Sequence, residues 1–444
     1  MYRMRCPPRL VRTHPDEAGV TLIDTVVGTA LLLSVFVGVA GAFQLSIDVV
    51  TNNKARAGAI ALSNERMEYL RSLTYASLGT SGGVPSGSLE QEESLAFNGV
   101  SYTRRTLILY ADDPKDGVSP ADANPADYKA ARVGVSWLSR TGEREMALVS
   151  RFEPASGLES SVSGGTLSIT VVSSESESVA NAQVTVTNAD ASPQVQVTTY
   201  TNTSGTVTLL GTPAASDYSV SVTKSGYSTA QTYDSSEQNP NPSPANLTVT
   251  SGQTTTQTLS IDVLGTLTLI TKKYSDGEAI GTVPVTIRGA KTIGTNPTVY
   301  KYSATKGGSG SATTTVSSLE WDSYTFEVDD ATGYDLATVC APQPYALAPG
   351  ESAMLTLHLT PHTTHSLPVI VRADAGSALI GGASVRLYGN GYDETQATDE
   401  CGQTFFSGLS EATYSMSVDA SGYATFTSSS VPVGTTTAQY QVQL

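Results

Sequence analysis

The stretch Gly165-Thr166-Leu167-Ser168-Ile169 decides the fold of the larger part of the chain, because it recurs as Gly265-Thr266-Leu267-Thr268-Leu269. A third related strand begins at Leu367-Pro368-Val369-Ile370, so that the three leucines are spaced by 100 residues. Self-similarity at a fixed period is the mark of repeated structural modules. We therefore predict three tandem units, and their boundaries are 165–262, 263–362 and 363–444.

After its first strand, each unit carries the same four cues in the same order: a second apolar strand, a turn glycine, a strand centred on tyrosine and a Gly-Tyr pair. These cues lie at 182–186, Gly205, Tyr218 and Gly226-Tyr227; at 283–287, Gly310, Tyr324 and Gly333-Tyr334; and at 383–387, Gly402, Tyr414 and Gly422-Tyr423. Tyr218, Val220 and Val222 alternate with serines, as half-buried strands require. Seven or so short strands per unit predict a small β-sandwich.

The composition of the 444-residue chain favours a non-enzymatic exported protein. Its formal charge is −16 and its charged fraction is 15%, below the average of about 25%, with Ser, Thr and Gly in place of the missing charges. An acidic surface repels phosphate backbones, so we expect no nucleic-acid partner. The sequence has no nucleophile elbow, phosphate-binding glycine loop or zinc-protease helix. We therefore expect neither an enzyme nor a cofactor.

The N-terminus predicts a membrane helix that is kept after processing. Residues 1–19 end in Ala18-Gly19 and hold four arginines, Arg3, Arg5, Arg9 and Arg12. Between Asp24 and Asp48 the chain carries no charge over 23 residues, enough to cross a bilayer core of about 30 Å. An ordinary secretory signal is cut after its apolar run, whereas Ala18-Gly19 precedes this one. We therefore predict a leader at 1–19 and a helix that stays in the product.

The segment Gly19-Val20-Thr21-Leu22-Ile23-Asp24 resembles the cleavage box of type IV prepilins and type II secretion pseudopilins. The resemblance implies that a prepilin peptidase cuts after Gly19 and methylates Val20. It also implies that Asp24, where the family usually has Glu, neutralises the N-terminal ammonium of a neighbouring subunit during filament assembly, because an unpaired charge in an apolar bundle is costly. The alternative is a plain single-pass anchor in which Asp24 marks the interfacial end of the span.

A long helix and a small head follow the span. Apolar residues at Ile60, Met67, Leu70 and Leu73 recur near a 3.6 period, so we predict a transmembrane and spine helix over 20–78. Strands at 100–110, 131–139 and 146–152 then predict a β-rich head over 79–154. Together with the helix, this α+β head resembles minor pseudopilins and minor pilins, a resemblance that covers residues 1 to about 154.

The three repeats resemble carboxypeptidase regulatory-like or collagen-adhesin B-type domains. The resemblance implies an immunoglobulin-like stalk or binding module without a catalytic centre. Some collagen-adhesin domains are closed by a bond between Lys and Asn, and Lys272 and Lys273 lie near the first strand of the second repeat. Its closing strand at 354–359 has neither Asn nor Asp, so we expect no isopeptide bond there.

Three groups of side chains are candidate sites. Cys340 and Cys401 lie late in the second repeat and beside the turn glycine of the third; export favours a disulfide that staples the two modules, over two buried thiols. His358, His362 and His365 have a metal-like spacing but belong mostly to a connector without neighbouring Cys or carboxylate, so we expect no zinc site. A cluster of acidic residues could bind calcium but more often forms a solvated turn. Its members are Asp112, Asp113 and Asp116.

The sequence thus predicts a mainly β protein: an N-terminal long helix, an α+β pilin-like head and three tandem immunoglobulin-like β-sandwiches. We expect a minor pilin-like subunit of a type IV pilus or related filament that displays its sandwiches for adhesion or surface contact. The alternatives are a pseudopilin of a type II secretion system and a non-polymerising membrane-anchored adhesin. The expected partners are other pilin or pseudopilin subunits, the prepilin peptidase and a surface or host ligand, carbohydrate included. The expected location is the inner membrane before assembly, then the cell surface or pilus.

Overall fold

The computed structural model describes residues 22–113, 126–140, 142–155, 162–341, 343–373, 378–434 and 439–444, and the side chain of Asp24 lies outside this description. The described residues form two compact units. The first contains the chain up to Ser72 with Glu92–Thr106 and Arg132–Ser150. The second contains Leu73–Gln91, Leu107–Ala131 and Arg151–Leu444.

The first unit is built on helix α1 (Leu22–Ser72), which has 51 residues. Its first half is exposed on all sides, whereas its second half packs on a β-sheet through Ala55, Ala59 and Leu62. An 18-residue window of α1 has a mean hydropathy of 2.3, and none of it is buried. By length and composition, α1 is the helix among the described residues that could cross a membrane.

The sheet beside the helix has the strand order β1-β2-β3-β4. Its strands are β1 (Glu92–Phe97), β2 (Val100–Ala111), β3 (Tyr128–Ser139) and β4 (Gly142–Phe152). Three of them cover the predicted strands, and β1 is additional. Its hairpin with β2 turns through Asn98 and Gly99 at φ of 51° and 77°, the conformation that Asn-Gly turns favour. Since Glu92 and Glu93 pair with arginines of β2, this strand lacks the apolar alternation by which it would be recognised.

A buried charge cluster fixes the helix to this sheet. The guanidinium groups of Arg66 and Arg104 lie 3.6 Å and 3.1 Å from one carboxylate oxygen, Oε2 of Glu93. Arg66 also donates from Nε to the hydroxyl of Thr106 at 3.1 Å. Both arginines are more than nine-tenths buried, so their pairing with Glu93 offsets a desolvation cost of several kcal/mol per ion.

The helix ends at Ser72, whereas we predicted that it continues to residue 78. Tyr75–Ser77 forms a single 3-10 turn instead. In the second unit, the ammonium group of Lys129 donates to the carbonyl oxygens of Tyr75 and Leu78, at 3.0 Å and 2.8 Å. These carbonyls are thus satisfied by a side chain from a distant strand, which the periodicity of the helix alone does not reveal.

The first sandwich of the second unit has two sheets, with strand orders β12-β5-β8 and β10-β9-β6-β7, and with β11 also pairing with β9. Its first strand shows the buried alternation expected of a core strand, because Leu167, Ile169 and Val171 point into the core. Its strands are β5 (Gly165–Val172), β6 (Gln183–Asn188), β7 (Val195–Tyr200), β8 (Thr206–Thr212), β9 (Ala215–Thr223), β10 (Ala230–Gln231), β11 (Leu247–Val249) and β12 (Thr254–Ser260).

The second sandwich has the sheets β18-β13-β22-β20 and β17-β14-β19-β21, with a short β15-β16 hairpin. Leu267, Leu269 and Ile287 lie in its core. Its strands are β13 (Gly265–Lys273), β14 (Pro284–Gly289), β15 (Thr292–Gly294), β16 (Val299–Tyr300), β17 (Ser303–Gly307), β18 (Thr313–Leu319), β19 (Asp322–Glu327), β20 (Tyr334–Val339), β21 (Tyr345–Leu347) and β22 (Ser352–Pro361).

The third sandwich has the sheets β26-β23-β29 and β25-β24-β27-β28. Val369, Val385 and Met416 lie in its core. Its strands are β23 (Leu367–Arg372), β24 (Ser384–Gly389), β25 (Tyr392–Ala397), β26 (Gln403–Phe406), β27 (Ala412–Asp419), β28 (Phe426–Val433) and β29 (Tyr440–Gln443). The predicted fold class, mainly β with one N-terminal helix followed by β-sandwiches, is confirmed.

The three sandwiches share one topology around their first strand. The closing strands β12, β22 and β29 pair in parallel with β5, β13 and β23, respectively. On its other side, each first strand pairs antiparallel with β8, β18 or β26. The recurrence of the first-strand sequence therefore marks the same position in each sheet.

A buried tyrosine occupies the same place in all three sandwiches. Tyr218, Tyr324 and Tyr414 lie near the starts of β9, β19 and β27, and each is at most 2% exposed. Their hydroxyl groups hydrogen-bond to the carbonyl oxygens of Pro213, Glu320 and Ser410, four or five residues upstream, at 2.6, 2.7 and 3.3 Å. This is the tyrosine corner of immunoglobulin-like sandwiches, and it explains the tyrosine in every repeat.

Part of the predicted head belongs to the core of the first sandwich. Val84 is 2% exposed and packs in that core, against which Leu107 and Leu109 also pack. The backbone N–H of Gln196, in β7, donates to the carbonyl of Gly82 at 2.7 Å. The segment around Gly82 and Val84 is therefore held by the sandwich through apolar packing and a hydrogen bond.

Candidate functional site

The residues of the predicted cleavage box are only partly within the described chain. Gly19 and Val20 lie outside it, and Asp24 lies in α1 with its side chain outside the description. The described part of α1 that follows them in sequence exposes an apolar surface. Leu31 and Phe36, for example, keep 64% and 66% of their surface exposed. An apolar helix of this length needs lipid or other apolar helices around it.

The acidic cluster after β2 is tied to a neighbouring strand. A carboxylate oxygen of Asp113 lies 3.4 Å from Nη1 of Arg151, and its backbone N–H donates to Asp127 at 2.6 Å. Arg151 also stacks over the ring of Tyr128 at 3.8 Å. Asp116, the third residue of the calcium hypothesis, lies outside the described residues, so the calcium hypothesis stays a prediction.

Cys340 and Cys401 are brought together as a disulfide, with a Cα–Cα distance of 5.1 Å. Cys340 follows β20 of the second sandwich, and Cys401 lies in the tight turn before β26 of the third. In that turn the carboxylate of Asp399 accepts hydrogen bonds from the backbone N–H groups of Cys401 and Gln403, both at 2.9 Å. These hydrogen bonds fix the backbone conformation of the turn and thereby orient Cys401 toward Cys340 of the second sandwich.

Next to the disulfide, the side chain of Gln403 enters the second sandwich. It is 2% exposed. Its oxygen accepts from the N–H of Val339 at 2.9 Å, and its nitrogen donates to the carbonyls of Val339 and Ala341 at 2.5 Å and 3.0 Å. The side-chain amide of Gln403 thus forms the hydrogen bonds to the Val339 and Ala341 backbone that a neighbouring strand would otherwise form. Nothing in the local sequence distinguishes Gln403 from an ordinary surface glutamine, so sequence reasoning missed it.

The three histidines do not form one site. His358 lies in β22, where its Nδ1 is 3.1 Å from the hydroxyl of Thr338 and burial lowers the pKa of the imidazole. His362 follows β22, and its Nδ1 lies 2.7 Å from Oδ1 of Asp335, a hydrogen bond that raises the pKa of His362. The backbone carbonyl of His365 accepts from Leu409 at 3.2 Å, within the third sandwich. The spacing of these histidines in sequence therefore has no counterpart in space.

His362 nevertheless lies close to two carboxylates, and imidazole and carboxylate groups are common metal ligands. His362, Asp330 and Asp335 each offer a ligand atom, and these atoms lie within 4.8 Å of one another. Asp335 is 9% exposed, and its second oxygen accepts from the N–H of Thr363 at 3.0 Å. The sequence analysis considered only acidic residues adjacent to His362 in sequence. Asp330 and Asp335, however, precede His362 by 32 and 27 residues. Exposed groups of this kind also occur as plain ion pairs, so we assign no metal here.

A cavity of about 260 Å³ opens beside these residues, at the joint between the second and third sandwiches. Asp335, Val339 and Gln403 contribute to its wall, together with Pro368 of the third sandwich. The disulfide, the buried glutamine and the Asp335 carboxylate therefore all belong to one joint, which we call the second joint.

The first joint, between the first and second sandwiches, is held by hydrogen bonds and charges. The amide of Asn239 and the N–H of Ser243 both donate to the carbonyl of Ile293, at 2.9 Å. Lys301 donates to the carbonyl of Thr229 at 3.0 Å and pairs with Glu320 at 2.5 Å. The bonds to Ile293 connect the loop after β10 to the β15-β16 hairpin, and the bond to Thr229 connects Lys301 to the residue before β10. The Lys301–Glu320 pair lies within the second sandwich. Each side of the joint therefore satisfies backbone groups of the other.

Charge and aromatic side chains line a cavity of about 500 Å³ at this first joint. Lys291 pairs with Glu320 at 2.7 Å, and its ammonium lies 3.2 Å from the ring centre of Trp321. Burial lowers the pKa of Lys291, although Glu320 opposes this effect. The face of the Trp321 indole that borders the cavity is thereby covered by Lys291.

The lysines weighed for an isopeptide bond lie on β13, next to the closing strand β22. Lys272 is opposite His358 and Lys273 is opposite Leu359 in this parallel pair. Lys273 also forms an ion pair with Glu278. Neither opposite side chain carries the amide or carboxyl carbon that an isopeptide bond needs.

Comparison with known proteins identifies one module. The model of the carboxypeptidase regulatory-like domain matches residues 166–262, the first sandwich. No curated protein matches the chain. Among solved structures, the chain is similar to the Bacillus anthracis TIE protein, with 14% identity, a TM-score of 0.19 and coverage of 80% of this chain and 73% of that one.

Two pilins are also among the similar structures. The streptococcal ancillary pilin shows 12% identity and a TM-score of 0.18, covering 63% of this chain and 98% of its own. GBS52, the minor pilin of Streptococcus agalactiae, shows 11% identity and a TM-score of 0.20, covering 45% of this chain and 97% of its own. At such TM-scores the similarity carries no argument about function.

Proposed function

We propose that this protein is a minor pilin-like subunit of a type IV pilus or related filament, whose β-sandwiches form a stiff stalk for adhesion or surface contact. The observation that carries the proposal is the two-part helix α1. One half exposes mostly apolar side chains and carries no charge over residues 25–47, and the other half is continuous with it and packs on a sheet.

The exposed half of α1 requires an apolar environment. Burial of apolar surface is worth about 25 cal/mol per Å², so side chains such as Leu31 and Phe36 strongly favour lipid or helix contacts over water. A filament subunit offers both in turn: the inner membrane before assembly, and a bundle of neighbouring subunits after it. Asp24, at the start of the helix, would then pair with the N-terminal ammonium of another subunit.

The sandwiches support the stalk part of the proposal. At the second joint a disulfide and the buried side chain of Gln403 link two modules, and at the first joint Asn239 and Lys301 bond to backbone carbonyls of the neighbouring module. Modules linked in this way keep a fixed mutual orientation, which suits the presentation of a surface to a ligand. A surface glycan or another host molecule is the class of ligand we propose.

The deciding test is the intact mass and N-terminal sequence of the protein from cells with and without the prepilin peptidase. We expect a product that starts at methylated Val20 only when the peptidase is present. Gly19→Val should abolish this cleavage, because the glycine precedes the cut. Gly28→Ala is the matched control, since an added Cβ at Gly28 meets nothing within 4 Å. A chain that keeps Met1, or a cut beyond residue 40, would leave only a membrane-anchored or secreted adhesin.

A further inference from the structure

The tip of the β3-β4 hairpin lies against α1 at the point where the uncharged run of the helix ends. The indole N–H of Trp137 donates to the side-chain oxygen of Asn52 at 3.2 Å. Beyond it, Nε of Arg140 lies 2.6 Å from a carboxylate oxygen of Asp48, the first charged residue after the run. These two contacts place the hairpin tip level with helix residues 48–52.

The length of the helix sets the depth of this tip in a membrane. Residues 25–47 carry no charge and extend for roughly 34 Å at 1.5 Å per residue, slightly more than a hydrocarbon core of about 30 Å. When they span the core, Asp48 lies at its surface. The hairpin tip then lies among the lipid headgroups and cannot extend into free solution.

The surface at this level has the composition of a membrane interface. A groove of about 300 Å³ is lined by residues of the helix and the hairpin, among them the apolar Val49, Trp137 and Leu138 and the charged Asp48, Arg140 and Arg144. Leu138 keeps 82% of its surface exposed, and the fold of the head gives no reason for this. An exposed leucine next to arginines is what an interfacial segment presents to lipid.

The charge around the groove also fits anionic lipid. Of the charged residues that line the groove, the cations Arg140 and Arg144 outnumber the acid Asp48, which gives a local charge of about +1 in a chain whose net charge is −16. Anionic headgroups attract such residues with a strength that corresponds to about fivefold per arginine near the surface.

We propose that this helix-exit groove binds the phosphate of an anionic phospholipid in the membrane that holds α1. Arg140 and Arg144 contact the phosphate, and Leu138 inserts between neighbouring headgroups. The proposal rests on the proposed function, because it requires α1 to span that membrane. It adds a lipid site that holds the head against the membrane surface before assembly.

The test uses the full-length chain in vesicles and the fluorescence of Trp137. The chain has two tryptophans, so Trp321→Phe leaves Trp137 as the only reporter. The vesicles contain 30% phosphatidylglycerol in phosphatidylcholine, and bromine near the glycerol end of the acyl chains is placed on either lipid at equal mole fraction. We expect brominated phosphatidylglycerol to quench Trp137 at least about twofold more than brominated phosphatidylcholine.

Variants separate a phosphate site from general membrane proximity. Arg140→Gln with Arg144→Gln should remove the difference between the two brominated lipids, and the corresponding lysine variants should keep most of it. Arg144→Gln alone should reduce it, and this variant leaves the Arg140–Asp48 pair in place. The matched control is Arg71→Gln. Arg71 is an exposed arginine in the last turn of α1 and lies roughly 34 Å along the helix from Asp48.

Flotation of the vesicles after alkaline carbonate extraction tests independently whether the chain is inserted in the membrane. If the chain floats and the two lipids quench equally, the lipid site is wrong and the membrane helix stands. If quenching depends on the protein-to-lipid ratio and not on the headgroup, the groove contacts another subunit and the lipid site is again wrong. A chain that does not float contradicts both this site and the proposed function.

Discussion

Tyr218 and Tyr324 show how single buried polar atoms specify each sandwich. Their rings fill the core, while their hydroxyl groups reach back to backbone carbonyls that no strand satisfies. Burial raises the pKa of Tyr218 to about 12, because the charged phenolate would have to form inside the core. The hydroxyl therefore remains a neutral donor at every physiological pH.

We predict that Tyr218→Phe lowers the free energy of unfolding of the first sandwich by about 1 kcal/mol, the usual net worth of a hydrogen bond. The folded pKa is raised above the unfolded value of about 10, so the contribution of the hydroxyl is full below pH 10 and is lost as pH rises toward 12. Between these values the unsubstituted protein should lose more stability than the variant. Denaturant unfolding across this pH range measures both effects.

Tyr423→Phe is the control for this substitution, because Tyr423 is 44% exposed and belongs to the Gly-Tyr pair of the third sandwich. It should leave the free energy of unfolding within about 0.5 kcal/mol of the original. Equal losses in the two variants would show that the buried hydroxyl of Tyr218 has no special role.

At the scale of elements, the turn before β8 docks directly on the first strand of its sandwich. The N–H of Val171 donates to the carbonyl of Gly205 at 2.8 Å, and Gly205 has a φ of 71°. A Cβ on Gly205 would lie 2.5 Å from the carbonyl oxygen of Val171. The corresponding turn of the third sandwich bonds Val371 to Gly402 in the same way. These contacts explain the glycine in the first and third sandwiches. In the second, Thr271 donates to Ala312 instead, and a Cβ on Gly310 would meet nothing within 4 Å.

We predict that Gly205→Ala destabilises the first sandwich more than Gly226→Ala does. Both glycines have a positive φ, at 71° and 79°, so an alanine costs roughly 1–2 kcal/mol at either position. Only Gly205 adds a collision with backbone, which should cost at least about 1 kcal/mol more, because nothing lies within 4 Å of a Cβ at Gly226. Calorimetric melting of the two variants gives the difference, and equal shifts would rule out the close approach to Val171.

Sequence reasoning predicted the elements whose cause is local. The alternation around Tyr218, the turn glycines and the uncharged run of α1 each carry their signal within a few residues, and the structure has strands, turns and a helix at these places. It missed the end of α1 and Gln403 because the deciding partners, Lys129 and the backbone of Val339, are remote in sequence. It missed β1 although the Asn98-Gly99 turn is a local signal, because the two glutamates that begin the strand hide its apolar alternation.

At the scale of the whole molecule, the second joint combines a covalent link with a noncovalent one. The disulfide closes a loop with a sequence separation of 61 residues, and the hydrogen bonds of Gln403 lie next to it. Removal of the disulfide should therefore weaken the second and third sandwiches together, since the loop contains parts of both.

We predict that Cys340→Ser with Cys401→Ser lowers the stability of these two sandwiches by about 4 kcal/mol, the loop-closure value for a loop of this length. Calorimetry of the full chain should show the loss in their transition and not in that of the first sandwich. Reductant should lower the stability of the unsubstituted protein by the same amount and leave the stability of the double variant unchanged. Insensitivity of the unsubstituted protein to reductant would contradict a disulfide at this joint.

The parallel pairing of first and closing strands has a mechanical consequence. Because these two strands run in the same direction, a pull on the two ends of a module slides them past each other along their length. All their hydrogen bonds then resist the force at once, instead of opening one after another. Among the described residues, the pairing covers 166–172 and 266–273 in the first two modules and the shorter stretch 369–372 in the third. When the disulfide is reduced, so that the force passes through residues 341–400, tension applied through the chain should therefore rupture the third module before the first two.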